Sequence, residues 1–387
     1  SHPREAGNQD VVCIDYPDLI TDCKAGDELL LDDGRVEMRV DAVSKDELLC
    51  TVLIGGPLSD HKGINRRGGG LTAPALTDKD RADIQLAAEM ELDYLAVSFP
   101  RDAADMHEAR RLRDAAGGTA WLIAKVERAE AVADDETLDG LIRASDGVMV
   151  ARGDLAVEIG DAELVGIQKK IILHARKLNK VVITATQMME SMISSPMPTR
   201  AEVSDVANAS FDYTDAVMLS AESAAGAYPI EAVQAMARVC LGAEKHPTSQ
   251  NSSHRLGRRF ERCDESIALA AMYTANHFPG VKAIICLTES GYTPLIMSRI
   301  RSSMPIYAFS PHRETQARVA LFRGVQTVPF DPATLPPEKV SQAAVDELLK
   351  RGVVQQGDWV ILTKGDSYHT IGGTNTMKIL HVGDPLV

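Results

Sequence analysis

The sequence has 387 residues, of which 45% are hydrophobic, 25% charged and 4% aromatic. At roughly 150 residues per domain this is a globular chain of two to three domains, which excludes a single small module and a disordered tail. Subtracting 55 acidic from 41 basic residues leaves −14, a charge that repels polyphosphate backbones, so nucleic acid is not an expected partner. Six cysteines (Cys13, Cys23, Cys50, Cys240, Cys263 and Cys286) lie far apart, with no CxxC pair and no histidine at zinc-ligand spacing. Neither a disulfide framework nor a structural zinc is expected, which fits a reducing cytoplasm. No apolar run reaches the roughly 18 residues that span a bilayer. Residues 1–5 lack the pattern of a signal peptide, so no membrane association is expected.

In chain order, short strands are expected at 11–14, 28–31, 36–40 and 48–54, with alternation around an Asp33-Gly34 turn that signals a hairpin. They predict a small β-barrel or sandwich over residues 1–72. It closes in the Gly-rich basic loop KGINRRGGG at 62–70, either a plain linker or something more specific. Beyond Pro74 short apolar runs at 94–99, 121–127, 147–152, 181–186 and 216–220 alternate with helical spacing at 103–115, 165–178, 200–209 and 229–243. Five strand-then-helix units about thirty residues apart argue a parallel sheet. Each strand ends in a polar residue: Ser98, Lys125 with Glu127, Arg152 leading to Asp154, Thr186, and Ser220 leading to Glu222. That layout suits a (β/α)8 TIM barrel, whose chemistry gathers at the C-terminal mouth. Five units are expected over residues 73–246; three more would precede residue 1, with the small β-domain as an inserted lid. Residues 247–387 predict a C-terminal open α/β domain, with strands at 283–288, 306–309 and 359–363, helices at 264–278, 293–302, 314–322 and 341–351, and an edge strand at 376–382.

Lys125 and Glu127 are two apart on one strand and therefore point to the same side. Inside a barrel they either neutralise each other or serve chemistry. Asp154 adds a carboxylate at the neighbouring strand tip, and two carboxylates with open positions suit a hard divalent ion such as Mg²⁺. Gly153 opens a helix whose N–H groups suit a carboxylate or phosphate. A lysine beside such a metal stabilises charge on a transferring phosphoryl group. Thr186 is a tip hydroxyl, functional or a helix cap. Met188, Met189 and Met192 are expected to pack rather than bind a cofactor. At 287–294, LTESGYTP, three hydroxyls (Thr288, Ser290, Thr293) with Gly291 form either a phosphate-binding helix start or an ordinary cap.

The segments IAKVE (123–127), MVARGDL (149–155), ATQMMESM (185–192), PTRAE (198–202), MLSAES (218–223) and GTNTM (373–377) resemble, in order, the signatures of the pyruvate kinase family. The resemblance spans essentially the whole chain and implies transfer of a phosphoryl group from phosphoenolpyruvate to ADP, with ATP and pyruvate formed through an enolate. By it Glu127 and Asp154 hold Mg²⁺ or Mn²⁺ and Lys125 meets the phosphoryl group. The Arg152-Gly153-Asp154 backbone binds the substrate carboxylate, and Thr186 helps deliver a proton to the enolate carbon. Lys62 contacts ADP phosphates, and Thr288, Ser290, Gly291 and Thr293 bind a phosphorylated sugar or nucleotide effector. The resemblance also implies K⁺ as a further cofactor, allosteric regulation and a homotetramer. Ala156, Ser210 and Tyr213 depart from the family pattern, which has Gly, an apolar residue and Gly there. Two other readings stand beside this one: a metal-dependent lyase or aldolase barrel working through an enolate, and a non-catalytic fragment that retains effector binding.

Overall fold

The computed structural model describes residues 7–8, 10–60, 62–250, 259–366 and 371–385. The first sheet is antiparallel, with β1 (Glu28–Leu31), β2 (Val36–Val43), β3 (Leu48–Ile54) and β4 (Ile64–Arg66) in the order β3-β2-β1-β4. The β1–β2 turn runs through Asp32, Asp33 and Gly34 at φ of 51°, 56° and 80°. These are left-handed values that Asp and Gly tolerate best, and they keep Leu31 opposite Val36. Leu19, Leu29, Leu31, Val36 and Val40 fill the space beneath.

Two expectations differ here. Residues 11–14 form no strand: Val11, Val12 and Ile14 are exposed and no strand pairs with them. The Gly-rich loop is no plain linker, because its Ile64–Arg66 segment adds to β1 as the fourth strand. Among the described residues the four strands make one open sheet rather than a closed small barrel.

The second sheet is parallel and sequential: β5 (Tyr94–Val97), β6 (Trp121–Val126), β7 (Gly147–Ala151), β8 (Val181–Ala185) and β9 (Ala216–Val217). Helices between strands begin where the sequence supplies caps: Asp102 before Ala103–Ala115, Asp134 before Asp135–Ala144, and a Thr199–Glu202 capping box before Arg200–Phe211. Gly147 is required by packing, since a Cβ there would lie 2.5 Å from Val181 Cγ2 and 2.7 Å from Ile123 Cδ1. The strands stop one to three residues short of the expected ends. Their tips leave the ladder: Phe99 and Thr186 sit at φ of 55° and 64°.

The third sheet holds β10 (Val281–Leu287), β11 (Ile306–Ser310), β12 (Val325–Pro329), β13 (Trp359–Gly365) and β14 (Thr374–His381) in the order β12-β11-β10-β13-β14, parallel except for the antiparallel edge β14. It joins the parallel sheet through buried polar contacts. Arg299 and Asp215, 1% and 0% exposed in their side chains, form an ion pair, with Asp215 also accepting from the N–H groups of Val182 and Arg323 at 2.9 and 3.0 Å. Tyr213 lies against the guanidinium groups of Arg176, Arg301 and Arg323, 4.5, 5.3 and 4.2 Å from its ring centre. Removing one member of a buried pair strands the other's charge, so Arg299→Met should lower stability by about 3 to 5 kcal/mol. Thermal unfolding would show it, and an unchanged melting temperature would contradict this account of the junction.

Candidate active site

The five parallel strands deliver their C-terminal ends to one rim. Lys125, in β6, places Nζ 2.5 Å from Glu127 Oε1 and donates to Ser98 Oγ at the end of β5 at 3.0 Å. Glu127 is 1% exposed, and its Oε2 accepts from the Phe99 N–H at 2.8 Å. The turned backbone at Phe99 thus serves to aim an amide at the carboxylate. Glu127 Oε1 has the ammonium beside it but no aligned hydrogen bond. Burial pushes the Glu127 carboxyl above the usual range, with Lys125 opposing. The Asp154 carboxyl is pushed up too, by burial first and then by the negative charge of Asp33 in the lid turn, again against Lys125.

A buried carboxylate oxygen with an ammonium beside it but no aligned donor, and Asp154 close enough for its charge to act on the same carboxyl, fit a divalent cation, which would offset the burial of both carboxylates. No group of three or more His, Cys, Asp or Glu side chains is arranged to cage a metal among the described residues, so the pair would leave positions open to substrate.

Asp154 lies in the first turn of the helix Arg152–Ile159. The Gly153 N–H, expected to be open to an anion, donates to Thr186 Oγ1 at 2.8 Å. Thr186 therefore caps the helix after β7, not the segment that follows its own strand. Its hydroxyl donates in turn to the Ala185 carbonyl at 2.7 Å. Thr186 and Gln187 hold φ of 64° and 53°, at a cost on the order of 1 to 3 kcal/mol for each such residue. The Arg152 guanidinium is 6% exposed and committed to protein partners: Asp205 at 2.6 and 2.8 Å, the Thr186 carbonyl at 2.6 and 3.1 Å and the Ala185 carbonyl at 3.2 Å.

The lid sits over this rim. Its β1–β2 turn approaches the Asp154 helix, and Arg35 beside that turn lies 3.7 Å from Glu190, which follows β8. Lys62 Nζ is 2.8 Å from Asp32 in the same turn. A cleft of about 680 Å³ opens between lid and sheet, with Gly63, Asn65, Ser98, Phe99, Asp154 and Glu158 among its walls. Glu158 ties lid to sheet: it accepts from the Ala129 N–H at 2.7 Å and from Asn65 in β4 at 3.3 Å, while its carbonyl accepts from the Gly68 N–H at 2.8 Å. Sequence reading passed over Glu158, although it stands one helical turn beyond Asp154, and Asp33, although it stands in the recognised hairpin turn. Asp205 had no signal of its own.

In the third sheet Thr288, Ser290 and Thr293 line one pocket together with Gly372, Gly373 and Thr374. Two of the three hydroxyls are already engaged. Thr288 Oγ1 accepts from the Gly291 N–H at 3.0 Å, and buried Thr293 shares a 2.9 Å hydrogen bond with Thr374. Gly291 caps the helix Tyr292–Ser298 at φ 81°. Glu289 pairs with His312 at 2.6 Å.

Comparison with known proteins settles the kinship of this arrangement. The profile described as "Pyruvate kinase, barrel domain" matches residues 1–233, and "Pyruvate kinase, alpha/beta domain" matches residues 265–380. The chain belongs to the pyruvate kinase family. It is 58% identical to pyruvate kinase II of Salmonella typhimurium over 376 residues, covering 97% of this chain and 78% of that protein. It is 56% identical to the pyruvate kinase of Haemophilus influenzae over 380 residues, 98% and 79% of the two chains. A more distant relative, the pyruvate kinase of Geobacillus stearothermophilus, is 41% identical over 388 residues. The resemblance of the signature segments to pyruvate kinases is thus borne out, as is the α/β class with parallel sheets, and the chain is a transferase of that family. No helix among the described residues is long and apolar enough to cross a membrane.

Proposed function

We propose that the chain transfers the phosphoryl group of phosphoenolpyruvate to ADP, giving ATP and pyruvate. The observation that carries this reading is the convergence of Lys125, Glu127 and Asp154 at adjacent strand ends beneath a lid bearing Lys62. The bond between phosphorus and the enol oxygen breaks, an ADP β-phosphate oxygen takes the phosphoryl group, and the enolate left behind gains one proton at carbon. The Lys125 ammonium faces the charge on the transferring group, where a fixed cation in a water-poor site stabilises it most. Glu127 and Asp154 would hold Mg²⁺ or Mn²⁺, which when bound would neutralise charge on substrate oxygens. The turn at Arg152, Gly153 and Asp154 receives the substrate carboxylate at the Asp154 end of its backbone, because the Gly153 N–H is held by Thr186 Oγ1 and the Arg152 side chain is engaged elsewhere. Thr186 passes the proton to the enolate carbon through water. Lys62 exchanges Asp32 for an ADP phosphate.

The finer family properties belong to the same reading: K⁺ as a second cofactor, a cytoplasmic address, a homotetramer, and an effector that is a sugar phosphate or nucleotide monophosphate at the Thr288, Ser290, Gly291 and Thr293 loop. Thr288 Oγ1 accepts from the Gly291 N–H and keeps its own O–H to donate, and buried Thr293 is tied to Thr374, so Ser290 and Thr288 supply the hydroxyl donors for the phosphate. The effector should lower the half-saturating phosphoenolpyruvate concentration by about 5- to 150-fold, and Ser290→Asp should abolish that response while leaving saturated turnover unchanged. A full response in the variant would exclude this loop. The activity itself is tested by pyruvate formation with ADP and Mg²⁺ supplied together and each withheld in turn. Turnover independent of ADP would refute the reading.

A further inference from the structure

We infer that Arg152 and Asp205 form a clamp that positions Thr186 for its proton transfer, so that Arg152 acts through Thr186 and not on the substrate. The inference rests on the proposed role of Thr186. Thr186 is β-branched and sits in the left-handed region at φ 64°, with Gln187 beside it at 53°, a conformation that such residues reach only when their surroundings impose it. Two successive residues of the neighbouring strand end impose it here. The Arg152 guanidinium grips the Thr186 carbonyl with both Nη2 and Nε, at 2.6 and 3.1 Å, and the preceding carbonyl of Ala185 with Nε at 3.2 Å. The Gly153 N–H holds the Thr186 hydroxyl at 2.8 Å. One dipeptide thus fixes both the carbonyl and the side chain of Thr186, which determines the direction of its Oγ1.

The guanidinium is in turn fixed by Asp205 at 2.6 and 2.8 Å, on the helix Arg200–Phe211, and by Met188 Sδ at 2.8 Å. The planar guanidinium holds Asp205 through Nη1 on one side and the Thr186 carbonyl through Nη2 and Nε on the other, a two-sided geometry that a flexible lysine would not reproduce. Asp205 therefore reaches the reacting centre through a chain of three residues without touching it. Thr186 directly follows the strand Val181–Ala185, and the helix carrying Asp205 comes after the short 3-10 turn Glu190–Ile193, so the clamp ties the two ends of the segment between them.

Two readouts separate positioning from bulk stability. In the chain labelled with ¹³C at threonine methyl groups, the Thr186 resonance, identified by its loss in Thr186→Ala, should move in both Arg152→Met and Asp205→Asn, while that of Thr199 stays. This needs no catalysis. In turnover, Arg152→Met should lower kcat by about 10²-fold, the loss that a misplacement near 1 Å produces, with KM for phosphoenolpyruvate little changed. Introduced into Thr186→Ala, the same substitution should cost less than about 3-fold, because residues acting through one another are not additive. Should Arg152→Met fail to fold, Asp205→Asn carries both measurements, with a smaller kcat loss expected. An unmoved Thr186 resonance in the folded variants overturns the clamp, as does an equal kcat loss with and without Thr186. A parent chain without phosphoryl transfer would overturn the proposed function instead, and the resonance would still decide the clamp.

Discussion

Lys125→Met should reduce kcat by at least about 10³-fold while leaving phosphoenolpyruvate binding within a few fold, because a fixed cation facing charge that develops late stabilises the transition state more than the ground state. The structure adds a second consequence. Lys125 is the ammonium 2.5 Å from Glu127 Oε1, and its charge opposes the burial that pushes both the Glu127 and Asp154 carboxyls upward. Without it both groups should protonate at still higher pH. The variant's residual activity should therefore rise with pH over a range where the parent is already flat. Comparable losses in substrate binding and in kcat would place Lys125 in uniform binding and contradict its assigned role.

Glu127→Gln and Asp154→Asn should each lower Mg²⁺-dependent turnover by about 10³-fold or more at ordinary metal concentrations, since each removes one of the two carboxylates proposed to hold an ion otherwise bound by water and substrate. The pH dependence of metal binding has a definite sign. Both carboxyls have raised pKa values in the folded chain. Their ionised forms therefore cost stability that is absent at low pH and appears as pH rises through the folded values. A divalent cation binds the ionised forms and offsets that cost, so its stabilising effect on thermal unfolding should grow as pH rises. In either variant the growth should shrink. Unaltered metal titration curves in both variants would exclude the pair as the metal site.

Much of this was legible in the residues. The helix expected at 103–115 forms at Ala103–Ala115 because Asp102 caps it locally, and the Lys125–Glu127 pairing follows from the two-residue period of a strand, which no distant contact can alter. What escaped was decided by partners far along the chain. Ile64–Arg66 becomes a strand only because β1 offers it an edge, and residues 11–14, apolar enough for a strand, find no such edge. The helix Asp78–Glu89, with only Ile84 and Ala87 buried, shows too weak an apolar stripe to stand out. In the site, residue types and order were readable, but the left-handed turn at Thr186 and the Arg152–Asp205 contact were not. Both arise where three separate segments meet.

The central claim is that phosphorus moves from the enol oxygen to ADP at Lys125, Glu127 and Asp154. ³¹P NMR of the chain mixed with phosphoenolpyruvate, ADP and Mg²⁺ follows that atom directly. The account predicts that the phosphoenolpyruvate signal is replaced by the γ-phosphate of ATP in equal amount, with one pyruvate formed for each ATP and the exchange suppressed in Lys125→Met. Inorganic phosphate in place of ATP, or cleavage of a carbon–carbon bond with no phosphorus transferred, would contradict it.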